Sequence, residues 1–322
     1  TGIRRFESCR PSQRASRHGR SGLGQVGEWP MKVLVTGTEG QLARSLVERV
    51  RLHPEIELIA CGRPELDLEI RGSAAAAISH AAPDVVINAA AYTAVDQAED
   101  EPERAFRINA KAAGEVAAAA AQAGAAVIQM STDYVFDGRG EGAYREDQPV
   151  SPLGVYGRSK VAGEERARAA NPRHAIVRTS WVYSPFGRNF VRSIVAAAGL
   201  RDKLTVVDDQ RGSPTSALDL ADGLLAMLKA GGGWGETHHL AGRGAASWCE
   251  FAREIMAQCA ASGLPHVPVE PIRTEDWPTR AERPRNSVLD SGNFERAFGF
   301  AMPDWRASTR EVVERLAREA QV

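Results

Sequence analysis

From residue 31 onward the chain alternates short apolar, β-branched runs with longer stretches whose small and apolar residues recur at helical spacing. The runs at 32–36, 57–61, 84–89, 126–131 and 175–179 read as strands, and 41–52, 73–81, 101–123 and 156–169 as helices. These strands are near-continuous Val, Ile and Ala, the pattern of strands buried on both faces. Strand and helix in turn predict an α/β fold, a Rossmann-type doubly wound parallel sheet with right-handed crossovers. Beyond residue 243 the pattern loosens into a smaller C-terminal lobe. Five prolines between 265 and 284 suit an extended, loop-rich stretch over a cleft, while 247–261 and 308–320 read as amphipathic helices. No internal repeat is visible.

Residues 1–30 differ from the rest. Arginines at 4, 5, 10, 14, 17 and 20 stand among few apolar residues, with no periodicity and no apolar segment of a secretory signal. This stretch reads as a disordered leader or an added extension, with Met31 as the natural start. The net charge of the whole chain is −1, so no global field holds nucleic acid or an anionic membrane. A negative ligand must be gripped locally, which favours a small molecule. No apolar stretch approaches the ~20 residues that span a bilayer, and the chain reads as cytoplasmic. Cys9, Cys61, Cys249 and Cys259 lack metal-binding or redox spacing. His238 and His239 are adjacent, so on a strand they point to opposite faces and read as a structural strand end.

Chemistry gathers at strand ends. Gly37-Thr38-Glu39-Gly40-Gln41-Leu42-Ala43 follows the first strand directly. Glycines three apart, then a small residue, let a pyrophosphate approach the backbone at a helix N-terminus. The second strand ends in Gly62-Arg63; an arginine there can meet a 2′-phosphate, which favours NADPH over NADH. Asp67 and Leu68 fall where adenine contacts would sit, although Asp67 could equally cap the following helix. Small residues after the third strand, Ala89, Ala90 and Ala91, then Tyr92, leave room for a cofactor across the sheet edge. The fourth strand ends in Ser131-Thr132-Asp133-Tyr134, and Tyr156-Gly157-Arg158-Ser159-Lys160 follows. Tyr156 and Lys160, four apart, share one helix face. A phenol with an ordinary pKa of about 10 needs help to exchange protons at neutral pH. A nearby ammonium and a cationic nicotinamide would lower it. The expected organisation is thus a dinucleotide-binding domain over 31–180, completed by parts of 200–242, with a partly discontinuous substrate lobe from 181–199 and 243–322.

These pieces together resemble an extended short-chain dehydrogenase/reductase, and more closely the dTDP-4-dehydrorhamnose reductase family. The matching segments are 37–43, 88–96, Ser-Thr-Asp-Tyr-Val-Phe-Asp-Gly at 131–138, 151–160, Arg-Thr-Ser-Trp-Val-Tyr at 178–183, 209–215 and 283–290, in order. The resemblance implies NAD(P)H-dependent reduction of the 4-keto group of dTDP-4-dehydro-6-deoxy-L-mannose (dTDP-4-dehydrorhamnose) to dTDP-L-rhamnose, or of another 4-keto-6-deoxy sugar nucleotide. It implies Tyr156 as proton donor, Lys160 as the residue on the nicotinamide ribose, and Thr132 on the keto oxygen. Asp133 and Trp181 would face the sugar nucleotide. Gly40, Gln41, Leu42, Asp67, Leu68, Ala90, Ala91 and Tyr92 would line the cofactor.

Arg188, Asn189 and Arg283 are candidates for the diphosphate, or else a helix cap and surface ion pairs. Trp234, Trp248, Trp277 and Trp305 read as packing residues. Related 4,6-dehydratases carry Asp-Glu after the catalytic Thr, where this chain has Asp133-Tyr134. Related epimerase–reductases use a Cys and a His, and neither occurs between Met130 and Arg173. A rival of another class is a non-catalytic dinucleotide-binding subunit resembling the methionine adenosyltransferase β subunit. Some family members are dimers bridged by Mg²⁺ through glutamates; the aligned positions here are Ser45 and Leu218, poor ligands for a hard cation. No metal bridge is expected, and the chain should be a monomer or a weak homodimer.

Overall fold

The computed structural model describes residues 3–4 and 30–320. The expectation of a disordered leader, and Cys9, lie almost wholly outside them. Six parallel strands form the main sheet: β1 (Met31–Thr36), β2 (Ile56–Cys61), β3 (Val85–Asn88), β4 (Ala126–Thr132), β5 (His174–Thr179) and β6 (Thr237–His239). Their spatial order is β2-β1-β3-β4-β5-β6, with Ile3–Arg4 alongside β2. Val33 lies opposite Leu58 on one side and Val85 on the other. The chain thus leaves β1 toward β2 in one direction and returns to β3 in the other. Such a reversal opens a crevice at the carboxyl ends of β1 and β3, where ligands of open α/β sheets bind. The doubly wound sheet read from the sequence is what the structure shows.

Period-two alternation along the buried strands builds a core on each face. Val33, Val35, Ile87, Ile128 and Val177 pack toward Leu46 of α1 (Gln41–Arg49) and Leu224 and Leu225 of a helix at Ala217–Lys229. Leu34, Val86, Val127 and Ile176 pack the other way, against Ile78 of α2 (Ser73–Ala81) and Val116 of α3 (Ala112–Gln122). Every residue of β4 is buried. No helix among the described residues is long and apolar enough to cross a membrane.

The helix expected over 101–123 is broken. Val95–Asp100 is a separate helix ending before Pro102, whose missing N–H suits the start of the next. A π-helical turn at Arg107–Lys111 then precedes α3, and such turns often mark functional sites. Beside it runs α4 (Val155–Ala170). Two glycines let α4 press close: a Cβ on Gly157 would lie 2.2 Å from the Tyr134 carbonyl oxygen, and one on Gly163 would lie 2.1 Å from that of Asn109.

The second lobe has its own core of Tyr183, Phe251, Ile255, Trp305 and Val312. It joins Phe190–Ala198, Trp248–Ala261 and Trp305–Ala320, with Leu204–Val207 paired to Val269–Ile272. Ser247 and Glu250 form a capping box at the start of Trp248–Ala261. The proline-rich stretch is extended, as expected. Trp277 departs from its reading as a packing residue: it is 57% exposed, because the loop after the short helix Thr274–Asp276 gives it no wall to lie against. The His238-His239 pair does divide between faces. His238 lies against Phe294 and Phe298, and His239 against Phe136 with its Nδ1 3.0 Å from the Tyr144 carbonyl.

Candidate active site

At the β1/β3 crevice the backbone itself forms the cradle. Gly37 has φ +95°, a region L side chains avoid, and its Cβ position faces Ala90 at 3.8 Å. Gly40 stands just before α1, and a Cβ there would meet nothing within 4 Å. The first amides of α1 have no intrahelical partner and carry the positive end of the helix dipole. Open space, exposed amides and close backbone approach fit a dinucleotide pyrophosphate. Ala90 and Ala91 are half-buried beside this space, and Arg63 is exposed at the end of β2 with no ion pair among the described residues.

Several expected cofactor side chains have other work. Gln41 ties α1 to the second lobe: its Nε2 donates to the Val182 carbonyl at 3.3 Å and its Oε1 accepts from Ser184 Oγ at 2.9 Å. Leu42 packs on the core. Leu68 is buried against the opposite face of the sheet. Asp67 caps no helix; its Oδ1 accepts from the Glu69 amide, and Gly72 stands at the N-cap of α2. Tyr92 is buried, with its backbone clasped by the Asn109 amide group and its hydroxyl on Glu101.

The chemical groups sit where β4 ends and α4 begins. Thr132 is the last residue of β4; its Oγ donates to Asp133 Oδ1 at 2.8 Å and accepts from the Tyr134 amide at 3.2 Å. Tyr156 and Lys160 lie one turn apart on α4, the tyrosine largely buried and the lysine fully so. Tyr156 stands edge-on to Tyr134, ring centroids 5.8 Å apart. Lys160 Nζ donates to the Met130 carbonyl at 2.7 Å. Burial pushes the ammonium down to about 8, with the Glu164 carboxylate acting the other way.

The expected lowering of the Tyr156 pKa depends on an ammonium and a bound nicotinamide; in the chain by itself the phenol shifts the other way. Burial and the Asp133 charge push the phenol up to about 12, with the nearby Thr132 hydroxyl acting the other way. The Lys160 ammonium is turned to a carbonyl instead. Asp133, expected to face the sugar nucleotide, is buried in the protein. It is 2% exposed, accepts from Thr132 and Ser180, and is pushed up to about 6 by burial, with hydrogen bonds from Ser287, Thr132 and Ser180 opposing.

One buried chain of hydrogen bonds joins the cradle to the lysine. The Ala90 amide donates to Thr36 Oγ1, which donates to Asn88 Oδ1 at 2.8 Å. Asn88 Nδ2 donates to Gln129 Oε1 at 2.7 Å, and Gln129 Nε2 donates to the Met130 carbonyl that also holds Lys160. Reading the sequence missed Gln129; a lone polar residue inside an apolar strand was the available signal. Asn109 was missed as well, and it also donates to Ser159 Oγ on α4 at 3.0 Å.

On the far side of the cleft Trp181 is half-buried, with a left-handed φ of +45° and its ring stacked on Trp248 at 3.5 Å between centroids. Asn189 is the N-cap of Phe190–Ala198, and its Nδ2 donates to the Ser184 and Phe186 carbonyls. Arg283 is paired with Asp96 at 2.7 Å. The cap and the ion pair are therefore what these two candidates form here, while Arg188 is exposed. A cavity of about 490 Å³ opens between the lobes, lined by Arg139, Arg283, Arg285 and Asn286. A narrower recess beside it reaches Tyr134 and Tyr156. Among the described residues no cluster of three or more His, Cys, Asp or Glu could hold a metal. Ser45 and Leu218 are both fully buried.

Comparison with known proteins agrees with this geometry. Residues 31–318 match the RmlD substrate binding domain family. A dTDP-4-dehydrorhamnose reductase of Sinorhizobium fredii is 42% identical over 296 residues, covering 90% of this chain and 99% of that protein. The crystal structure of such a reductase from Clostridium acetobutylicum superposes with TM-score 0.83 at 37% identity, covering 89% of this chain and 99% of that one. One from Bacillus anthracis, in complex with NADP, gives 0.81 at 34% identity, covering 88% and 98%. A sheet that opens its crevice at β1/β3, Thr132 at the end of β4 beside Tyr156 and Lys160 of α4, and relatives matched over nearly their whole length place the chain in the dTDP-4-dehydrorhamnose reductase family.

Proposed function

We propose that this chain reduces the 4-keto group of dTDP-4-dehydrorhamnose to dTDP-L-rhamnose, using NADPH, with NADH as an alternative donor. The observation that carries the reading is a phenol edge-on to Tyr134 and one helical turn from a buried ammonium, next to an amide-lined crevice. Gly37, Gly40 and the amides of Gln41 and Leu42 would hold the cofactor diphosphate, Arg63 the 2′-phosphate, and Ala90 and Ala91 the dinucleotide across the sheet edge. Bound there, NADPH supplies a hydride to the carbonyl carbon.

The chain's own residues govern the proton. Tyr156, pushed up to about 12, remains protonated at neutral pH and donates its proton to the oxygen as that oxygen becomes an alkoxide. Thr132, fixed by Asp133 and the Tyr134 amide, orients the keto oxygen beside the phenol. Lys160 stabilises the phenolate left behind and holds the nicotinamide ribose. Trp181 lies against the sugar, and Arg139 and Arg285 serve the diphosphate, since Arg283 is engaged with Asp96. The working unit is a monomer or weak homodimer.

The test follows NADPH absorbance on mixing with dTDP-4-dehydrorhamnose, with Tyr156→Phe alongside. Rapid oxidation by the native protein and a loss of about 10²–10⁴-fold in the variant are expected. NADPH binding without turnover on any 4-keto sugar nucleotide would instead leave a dinucleotide-binding subunit.

A further inference from the structure

Glu164 lies one turn beyond Lys160 on the buried face of α4 and is 1% exposed. Its Oε1 accepts from Ser131 Oγ at 2.6 Å and from Arg178 Nε at 2.9 Å. Its Oε2 accepts from Arg178 Nη2 at 2.8 Å and from Arg168 Nη2 at 3.0 Å. Arg178, 3% exposed on β5, lies over the Phe136 ring at 5.2 Å. A buried ion pair is a poor way to gain stability, because desolvation offsets the attraction and apolar residues of the same volume pack as well. A carboxylate kept in this place calls for another reason, and its neighbours supply one. Ser131 stands between Met130, whose carbonyl holds Lys160, and Thr132, the last residue of β4.

We propose that Glu164, oriented by Arg178, is a positioning residue of the active site: it keeps the buried Lys160 charged and, through Ser131, holds the end of β4 so that Thr132 meets Tyr156. The proposal rests on the reductase reading, in which Lys160 acts as an ammonium. Burial pulls Lys160 down to about 8, and the Glu164 carboxylate opposes that pull. Glu164 is itself held below the usual carboxylate range against burial, chiefly by Arg178. The other charged or titratable groups around this face are Tyr156 and Arg168 on α4, Asp133 after β4, Arg178 on β5, and His239 on β6 with Glu146 bonded to its amide. His239 is pushed down to about 4 by burial and is neutral at physiological pH.

The experiment compares native protein with Glu164→Gln, Ser131→Ala and the double variant Glu164→Gln/Arg178→Met, which removes the pair without stranding a charge. Two readouts are taken from pH 6 to 9.5: kcat with dTDP-4-dehydrorhamnose, and NADPH affinity by fluorescence. In native protein both should fall as pH rises past about 8. In Glu164→Gln and the double variant both limbs should move toward acid, by about one pH unit in Glu164→Gln, a roughly fivefold difference at pH 8. Ser131→Ala should lower kcat severalfold with the limbs in place. Folded Glu164 variants with native limbs would overturn the proposal, even if their activity were lower. Should Glu164→Gln not fold, the double variant decides in the same way. Native protein that binds NADPH with the alkaline fall but does not turn over would refute the reductase reading and leave the affinity limb to judge Glu164.

Discussion

On the first lobe's side of the cleft, Thr132, Asp133, Lys160 and Glu164 are each at most 6% exposed, and each side chain is held by hydrogen bonds within the protein. On the second lobe's side, Trp181 is held by a ring stacked on Trp248, and Asn189 by the helix it caps. One wall fixes charges and hydroxyls to a fraction of an ångström through a polar network. The other fixes shape by packing. Damage to the first should alter rate and pH dependence; damage to the second should alter affinity and stability.

Trp181 offers the hardest test of that division. Trp181→Ala should cost about 3 kcal/mol by denaturant unfolding and raise KM for the sugar nucleotide more than it lowers kcat. At φ +45°, Trp181→Gly should be the more stable of the two truncations by about 1 kcal/mol, the reverse of the usual order. An alanine variant more stable than the glycine one would remove the backbone argument.

Asp133 tests the polar wall through pH. Its folded value of about 6 lies above an unfolded value near 4, so the folded state prefers the protonated form. Its contribution is complete below about pH 4 and is lost as pH rises through 6, a change of order 2–3 kcal/mol. Asp133→Asn should therefore gain stability relative to native protein between pH 4 and 7, while its kcat falls. Parallel stability curves across that range would refute the buried-carboxyl account.

Gly40→Ala addresses the cradle. With nothing within 4 Å of the new methyl, the fold should keep its melting temperature, while NADPH affinity drops roughly tenfold because the methyl enters the crevice. Unchanged affinity by fluorescence titration would move the cofactor elsewhere. The smallest effect belongs to Asn189→Ala, which should lose about 1 kcal/mol of stability as a missing cap. A large rise in substrate KM would restore it as a binding residue.

Much of this was visible in one dimension. Strands buried on both faces announce themselves by continuous Val, Ile and Ala, and a glycine loop at a strand–helix junction or a Tyr-x-x-x-Lys on one helix face is a local pattern. Local rules also placed Tyr156, Lys160 and Thr132 at one sheet edge, since strand ends on one side of a parallel sheet share a rim. Tertiary structure decided which neighbour each polar side chain meets. Asn88 and Gln129 are 41 residues apart, and Ser131 and Glu164 are 33 apart, yet each pair is joined by a buried hydrogen bond. Asp133 follows Thr132 in the sequence as if to face the ligand, but Ser180 draws it into the protein. Gln41 and Arg283, read from the sequence as ligand contacts, also hold partners at Ser184 and Asp96 that the sequence does not announce. Periodicity records whether a position is buried; a buried polar group's identity and charge depend on its partners, and folding brings those partners together from distant parts of the chain.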